Sequence, residues 1–306
     1  MTSTSTSGSK AFVIINPVAG FTNAQQMKKT CEDQFHAAGW STSFHLTEKG
    51  EDLCGIIQKE ISNGTDLVVA VGGDGTVAAV AAGMLHTHIP LGIIPSGTWN
   101  AIARHLFLPA SPQRAIALMT GKHSTRKLDM MAVGNTVHAM NLGVGFSAKM
   151  VGGTDRQRKR TFGNLAYLKN IFKQLFGLQM QRYLIEVDGV LYKGRATEIF
   201  VANYGLVGLH FLEDRLNIHP DDGIVEILIL KARTILDLPN LIWQVFIQRE
   251  KRTPKYRKIS ASKNIVITTT PPAPVQADGE VLGETPVRIT VLSKTIKVIA
   301  PLTQSF

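Results

Sequence analysis

The sequence predicts an α/β N-terminal nucleotide-binding domain, a parallel sheet flanked by helices, followed by a C-terminal antiparallel β-sandwich domain. Three observations predict it. Over residues 10–130, short apolar runs alternate with amphipathic stretches, the pattern of a parallel sheet covered on both faces. Three of those runs end in polar turns: Asn16-Pro17-Val18-Ala19-Gly20, Gly72-Gly73-Asp74-Gly75-Thr76 and Pro95-Ser96-Gly97-Thr98-Trp99-Asn100. Beyond them, β-rich runs are separated by Gly, Pro or Asp rather than by helices.

In the first half, residues 11–15 read as a strand and 23–38 as a helix ended by Gly39. A strand over 41–46 and a helix over 51–62, stopped by Asn63-Gly64, come next. Residues 66–71 form a buried strand and 77–85 an Ala-rich helix; 91–94 and 100–106 repeat the pair. In the second half, 183–187 and 191–202 bracket Asp188-Gly189, a strong hairpin signal. Strands are expected over 224–230, 264–269 and 287–292, with helices over 161–176 and 238–248. Composition shifts near residues 128–131. The expected organisation is therefore a disordered leader over 1–9, an ATP-binding domain over 10–130 and a β-rich domain over 131–306, whose last residues return to the first.

A chain of 306 residues is long for a single core, and 44% hydrophobic with 18% charged residues is an ordinary globular mixture. The apolar stretch 68–85 is interrupted by Gly72-Gly73-Asp74-Gly75, and an acid at mid-bilayer is costly, which argues against a transmembrane helix. Cys31 and Cys54 read as buried thiols in a reducing cytoplasm. His86 and His88 look like loop residues, and the histidines show no metal-ligand spacing. The net charge of +10 concentrates in Arg156-Gln157-Arg158-Lys159-Arg160 and in Arg249, Lys251, Arg252, Lys255, Arg257 and Lys258. Two basic runs suggest an anionic partner, either nucleic acid or an acidic membrane surface.

The three turns follow three strands of one parallel sheet, so they face the crevice where such sheets bind ligands. Their glycines let backbone N–H groups approach phosphate oxygens, and the helix starts add partial positive charge. Thr76 and Thr98 can donate to the same oxygens. Asp74 is the informative residue, because an acid in a phosphate cradle repels the anion unless a divalent cation or a proton transfer employs it. Its bland alternative is a cap on the helix starting at Val77. No G-x-x-x-x-G-K-[ST] loop occurs. Gly143-Val144-Gly145-Phe146-Ser147-Ala148 matches a loose dinucleotide pattern but lies in the β-rich half, without the expected strand–turn–helix setting.

Together these segments resemble the diacylglycerol kinase catalytic-domain superfamily, and within it the soluble bacterial lipid kinases and the sphingosine kinases. The Gly-Gly-Asp-Gly-Thr signature is shared with NAD kinases and phosphofructokinases. The resemblance extends to Thr47, to Asp129, to Asn141-Leu142-Gly143-Val144-Gly145-Phe146, to Gln276-Ala277-Asp278-Gly279-Glu280 and to the closing run from Thr285 to Pro301. It implies ATP binding by Asn16, Pro17, Gly20, Thr47, Gly72, Gly73, Asp74, Gly75, Thr76, Gly97, Thr98 and Asn100. Asp74, with Asp278 or Glu280, would manage a catalytic Mg²⁺ and the acceptor proton. The base would be Glu280 by likeness to the bacterial enzymes, or Asp74 by likeness to the sphingosine kinases. A structural Mg²⁺ would sit at Asp222 with the carbonyls of His219 and Ile224; a plain turn is the alternative there. Asn100 is followed by Ala101 where many members have Asp; the sphingosine kinases also have Ala there, and the departure weakens the claim to diacylglycerol as the acceptor.

The resemblance thus implies an ATP-dependent lipid kinase whose active site lies between the domains. Its substrate would be a diacylglycerol-, sphingoid- or phosphatidylglycerol-like hydroxyl. It would be cytoplasmic, transiently peripheral at the anionic inner membrane face, with no nucleic acid partner. The alternatives are an NAD kinase-like enzyme and a catalytically silent lipid- or nucleotide-binding protein of the same fold.

Overall fold

Alternating apolar runs and amphipathic helices produce the first half of the protein as expected. The structure, a computed structural model, describes residues 8–19, 23–152, 180–204, 216–232, 237 and 256–302. The chain divides into two units, Met1–Leu128 with Lys294–Phe306, and Asp129–Ser293.

In the first unit, β1 (Lys10–Ile15), α1 (Ala24–Ala37), β2 (Ser41–Leu46), α2 (Leu53–Ser62) and β3 (Leu67–Gly72) follow in order. Then come α3 (Asp74–Gly83), β4 (Leu91–Pro95), α4 (Ala101–His105) and α5 (Pro112–Thr120). The strands lie in the order β2-β1-β3-β4, all parallel. Every residue of β3 is buried, which is why it reads as a continuous apolar run rather than an alternating one. Met27, Cys31 and Phe35, four residues apart on α1, pack with Val13, Val69 and, from α5, Met119. The α1 start is fixed by Asn23, whose side chain accepts the Gln25 N–H; Asp52 does the same for α2 through Gly55.

The second unit is β-rich. β5 (Ser124–Val133), β6 (Thr136–His138), β7 (Asn141–Gly145) and α6 (Phe146–Gly152) lead into it. They are followed by β8 (Gln181–Val187), β9 (Val190–Ala196), β10 (Glu198–Ala202), β11 (Val225–Leu230), β12 (Tyr256–Ala261) and β13 (Asn264–Thr270). β14 (Pro274–Ala277), β15 (Glu280–Glu284) and β16 (Val287–Ala300) close the chain. One antiparallel sheet has the order β12-β11-β10-β7-β14-β15. The second layer of this unit is β9-β8-β13 with the first residues of β16, also antiparallel. Leu142, Val144, Ile199 and Ile227 of the first layer share a core with Ile185, Ile265, Ile267 and Ile289 of the second. Two sheets with one apolar core between them make the sandwich. The last residues of β16 belong to the first unit, where Val298 pairs in parallel with Leu91 of β4.

Several expectations are corrected. α3 begins at Asp74, not at Val77, because Gly73 is the last extended residue and an acid is favourable in a first helical turn. The run expected as one strand over 191–202 is two, β9 and β10, which pair in different sheets. Their break is at Thr197, whose N–H donates to the Leu230 carbonyl. α5, β5, β6, β7, α6, β12, β14 and β15 are additional to the expected elements, and the division of the chain into two units, at Leu128/Asp129, falls inside β5. The strand–turn–helix setting denied to Gly143–Ala148 is present in part, since β7 runs directly into α6. Cys31 is buried, and burial pushes its thiol up to about 12, but Cys54 is exposed on α2. The expected helices over 161–176 and 238–248, the run Arg156–Arg160 and the positions Arg249, Lys251, Arg252 and Lys255 lie outside the described residues.

Candidate active site

The strand order reverses between β1 and β3: the chain leaves β1 outward to β2 and returns on the other side. Open α/β sheets bind ligands at such a switch point, beyond the carboxyl ends of the strands. The turns after β1 and β3 flank this point. Asn16 follows β1 and joins the two turns: its Nδ2 donates to Thr76 Oγ1 at 2.9 Å while its Oδ1 accepts from Val18 N–H at 3.1 Å. Thr47, after β2, donates its N–H to the Ile15 carbonyl and is half-buried. Gly20 lies outside the described residues.

The turns after β3 and β4 are packed backbone against backbone. A Cβ on Gly97 would stand 2.5 Å from the Gly73 Cα, and a Cβ on Gly72 would stand 2.4 Å from the Thr76 Cβ. Glycine is therefore required by contact at both positions, and the Ser96 N–H completes the junction by donating to the Gly72 carbonyl. Asn100, in the left-handed region at φ 46°, accepts the Gly97 N–H at 2.9 Å and donates to the Gly97 carbonyl at 2.8 Å. Both ends of its amide hold the turn, so Asn100 shapes the site through Gly97. Thr98 and Pro17 are exposed, and Trp99 leaves 47% of its surface in solvent.

Helix α3 opens at this crevice without a side-chain cap, and nothing lies within 4 Å of where a Gly75 Cβ would stand. An uncapped helix start beside open space presents N–H donors to an anion. Asp74 is half-buried there, and its Oδ1 accepts the Ile102 N–H at 3.1 Å, which anchors the first turn of α4.

The other acids singled out from sequence belong to the second unit. Asp278 and Gly279 form the tight turn between β14 and β15, both at positive φ. The Asp278 carboxylate accepts from Ala139 N–H at 2.9 Å, from Met140 N–H at 3.1 Å and from Asn141 N–H at 2.9 Å. Glu280, two residues on, is exposed. Asp222 is exposed too, and its Oδ1 accepts the Ile224 N–H at 2.9 Å in a local turn. That loop is tied to buried Asp129: the Gly223 N–H donates to Asp129 Oδ2 at 2.7 Å and the Asp129 N–H donates to the Pro220 carbonyl at 2.7 Å.

Sequence reasoning missed Asn203 and Glu198. Asn203 is fully buried and donates to the Asp129 and Ala139 carbonyls, joining the Asp129 strand to the loop held by Asp278. Glu198 stands where β7 becomes α6: its carboxylate accepts from the N–H and hydroxyl of Ser147 and from the Phe146 N–H. A Cβ on Gly143 would stand 2.9 Å from Glu198 Oε1, so the glycines of this segment make room for the acid. Burial pushes the Glu198 carboxyl up to about 7 against the lowering effect of those hydrogen bonds.

A raised acid is protonated in the folded protein and ionised in the unfolded chain between about pH 4.5 and 7. Stability therefore falls as pH rises through that window, by on the order of 3 kcal/mol, and is level above it. Glu198→Gln keeps an acceptor for Ser147 and cannot titrate. Denaturant unfolding from pH 4.5 to 7.5 is expected to show this slope reduced in the variant; parallel curves would refute the assignment.

Comparison with known proteins agrees with this architecture. Residues 10–133 match the diacylglycerol kinase catalytic domain, and residues 141–300 match the YegS C-terminal NAD kinase beta sandwich-like domain. A protein of Staphylococcus aureus named diacylglycerol kinase is 28% identical over 95% of this chain and 92% of its own. An uncharacterised protein of Synechocystis is 29% identical over 96% of this chain and 70% of its own. A crystal structure titled as a diacylglycerol kinase from Bacillus anthracis shares the fold, with a TM-score of 0.71 at 22% identity over 96% of this chain and 98% of that one. With both domains matched in order along nearly its whole length, the chain belongs to the diacylglycerol kinase catalytic-domain superfamily.

Proposed function

We propose that the protein is an ATP-dependent lipid kinase that phosphorylates a diacylglycerol-, sphingoid- or phosphatidylglycerol-like hydroxyl. The observation that carries this reading is the crevice at the β1/β3 switch point, with its uncapped helix and half-buried Asp74. The relatives named as diacylglycerol kinases supply the substrate class. ATP is the second substrate, and its phosphates suit the N–H groups at the start of α3 and the Thr76 hydroxyl. The acceptor oxygen bonds to the γ-phosphorus as the bond to ADP breaks, and its proton passes to a carboxylate of the chain.

Among the described residues no group of three or more His, Cys, Asp or Glu could hold a metal. Magnesium in phosphoryl transfer needs only one or two carboxylates, with phosphate oxygens and water completing its shell, and Asp74 fits that need. When bound, Mg²⁺ supplies neutralisation of phosphate charge. The proposal extends to a structural Mg²⁺ at Asp222 with the His219 and Ile224 carbonyls, an all-oxygen donor set. No helix among the described residues is long and apolar enough to cross a membrane. We place the enzyme in the cytoplasm, meeting its lipid from the inner membrane face.

Incubation with γ-labelled ATP, Mg²⁺ and a bacterial lipid extract is expected to label a lipid. Label transferred to NAD instead would make it a nucleotide kinase. No transfer to either, with ATP still bound, would make it a silent binding protein.

A further inference from the structure

The second layer of the sandwich has an outer face that none of the described elements covers. Along β8 the burial alternates strictly, with Tyr183, Ile185 and Val187 inward and Arg182, Leu184 and Glu186 outward. The antiparallel register places Arg195 opposite Arg182, Lys193 opposite Leu184 and Leu191 opposite Glu186 on the same face. On the other side of β8, β13 adds Val266 beside Glu186, and β16 adds Arg288 beside Val266. Arg182, Lys193, Arg195 and Arg288 are all exposed.

Three features of this face conflict with stability alone. Arg182 and Arg195 are directly opposed like charges, an arrangement that destabilises a strand pair. None of the four cations makes an ion pair among the described residues. Leu184 and Leu191 stand among them with 46% and 64% of their surface exposed, although a soluble sheet face favours polar residues there. Four cations, one acid and two exposed leucines on a pleated surface combine long-range attraction to anions with shallow apolar contact.

We propose that this β16-β13-β8-β9 face is the surface by which the protein docks on an anionic lipid bilayer. The inference rests on the lipid-kinase reading for its choice of a bilayer over other polyanions. Arginines and lysines attract the headgroup phosphates, and the two leucines enter the boundary between headgroups and acyl chains. A nucleic acid would meet the same charges but gain little from exposed aliphatic side chains, since single strands are gripped by aromatic stacking. Its four cations are not among the residues of the two basic runs that the sequence singles out.

The test is co-sedimentation of the full chain with vesicles of phosphatidylcholine alone or with 30% phosphatidylglycerol (about a third anionic, as charge-driven docking requires), without ATP. Docking is expected only on the anionic vesicles and is expected to weaken steeply between 0.1 and 1 M salt, as screening shortens from about 10 Å to about 3 Å. Arg182→Gln with Lys193→Gln and Arg195→Gln should lower the partition by about a hundredfold, from about a tenfold or smaller loss per charge. The charge-matched control Arg114→Gln with Lys122→Gln and Lys127→Gln, exposed on the first unit, should lower it far less. Leu184→Ser with Leu191→Ser should weaken docking at high salt, where the charges contribute least. Equal losses in the triple variant and its control would overturn the assignment. So would docking confined to a DNA oligonucleotide, or a dimer that the triple variant converts to monomer. Phosphoryl transfer to lipid dispersed in detergent is measured in parallel: if it persists in the triple variant without a docking defect, the face is wrong and the kinase reading stands. If vesicles bind as expected but no lipid is ever labelled, the kinase reading fails and the docking surface stands.

Discussion

Asp74→Asn is expected to abolish phosphoryl transfer while the protein remains folded and still binds ATP. The structure makes this substitution unusually clean. Asp74 Oδ1 accepts the Ile102 N–H at 3.1 Å, and asparagine retains that acceptor, so α4 keeps its anchor. The first turn of α3 tolerates asparagine, and the side chain is only half-buried, so size and solvation change little. What is lost is the negative charge that, in the proposed mechanism, would hold Mg²⁺ against the phosphates or take a proton. Removing one such electrostatic contribution costs about 3 kcal/mol in the transition state, a rate loss of roughly a hundredfold. Turnover with labelled ATP, alongside thermal unfolding, checks it. Activity within about threefold of wild type, in a variant with unchanged melting, would make Asp74 only the anchor of α4.

The parts of this protein legible in the sequence are those governed by one local rule. The continuous run Leu67–Gly72 announces a buried parallel strand because both its faces are covered. Asp188-Gly189 announces a tight hairpin, and both residues indeed have positive φ. The same Asp188 carboxylate also accepts N–H groups from Ser262, Lys263 and Asn264, and no local pattern reveals that long-range task. β9 and β10 read as one strand because no Pro, Asn or Asp interrupts residues 191–202; only pairing with different sheets separates them. In the site, the three turns were readable because glycine and acid at a strand end are chemically informative. The finer roles were not. Gly97 is fixed by contact with Gly73, twenty-four residues away, and Asn100 by two bonds to Gly97 whose geometry its positive φ sets rather than any residue pattern. Glu198 was invisible because its significance comes from burial at the start of α6, half a hundred positions away along the chain.

The resemblance offers Glu280 or Asp74 as the base and Asp278 or Glu280 as the acid acting with Asp74; between the latter two we propose Glu280, on the difference in their surroundings. Asp278 sits in a hairpin turn with both oxygens engaged by the N–H groups of Ala139, Met140 and Asn141. A carboxylate so committed organises the β6–β7 connection and has its lone pairs directed at backbone donors. Glu280 is exposed at the start of β15, and no hydrogen bond or ion pair engages its carboxylate among the described residues. A general base needs a free lone pair and access to the proton it removes. Glu280→Gln is therefore expected to lower turnover by about a hundredfold while the nucleotide dissociation constant and the melting temperature stay put. Asp278→Asn is expected to act differently: an amide has one acceptor atom, so its NH₂ must face a backbone donor. That costs on the order of 2 kcal/mol of stability, visible as a lower denaturant midpoint at unchanged slope. Turnover per folded molecule should fall less than in Glu280→Gln. The two assignments exchange if Asp278→Asn melts like wild type and is inactive while Glu280→Gln turns over normally. Collapse of ATP binding in Glu280→Gln, with turnover of the bound complex intact, would instead make Glu280 a nucleotide or metal ligand.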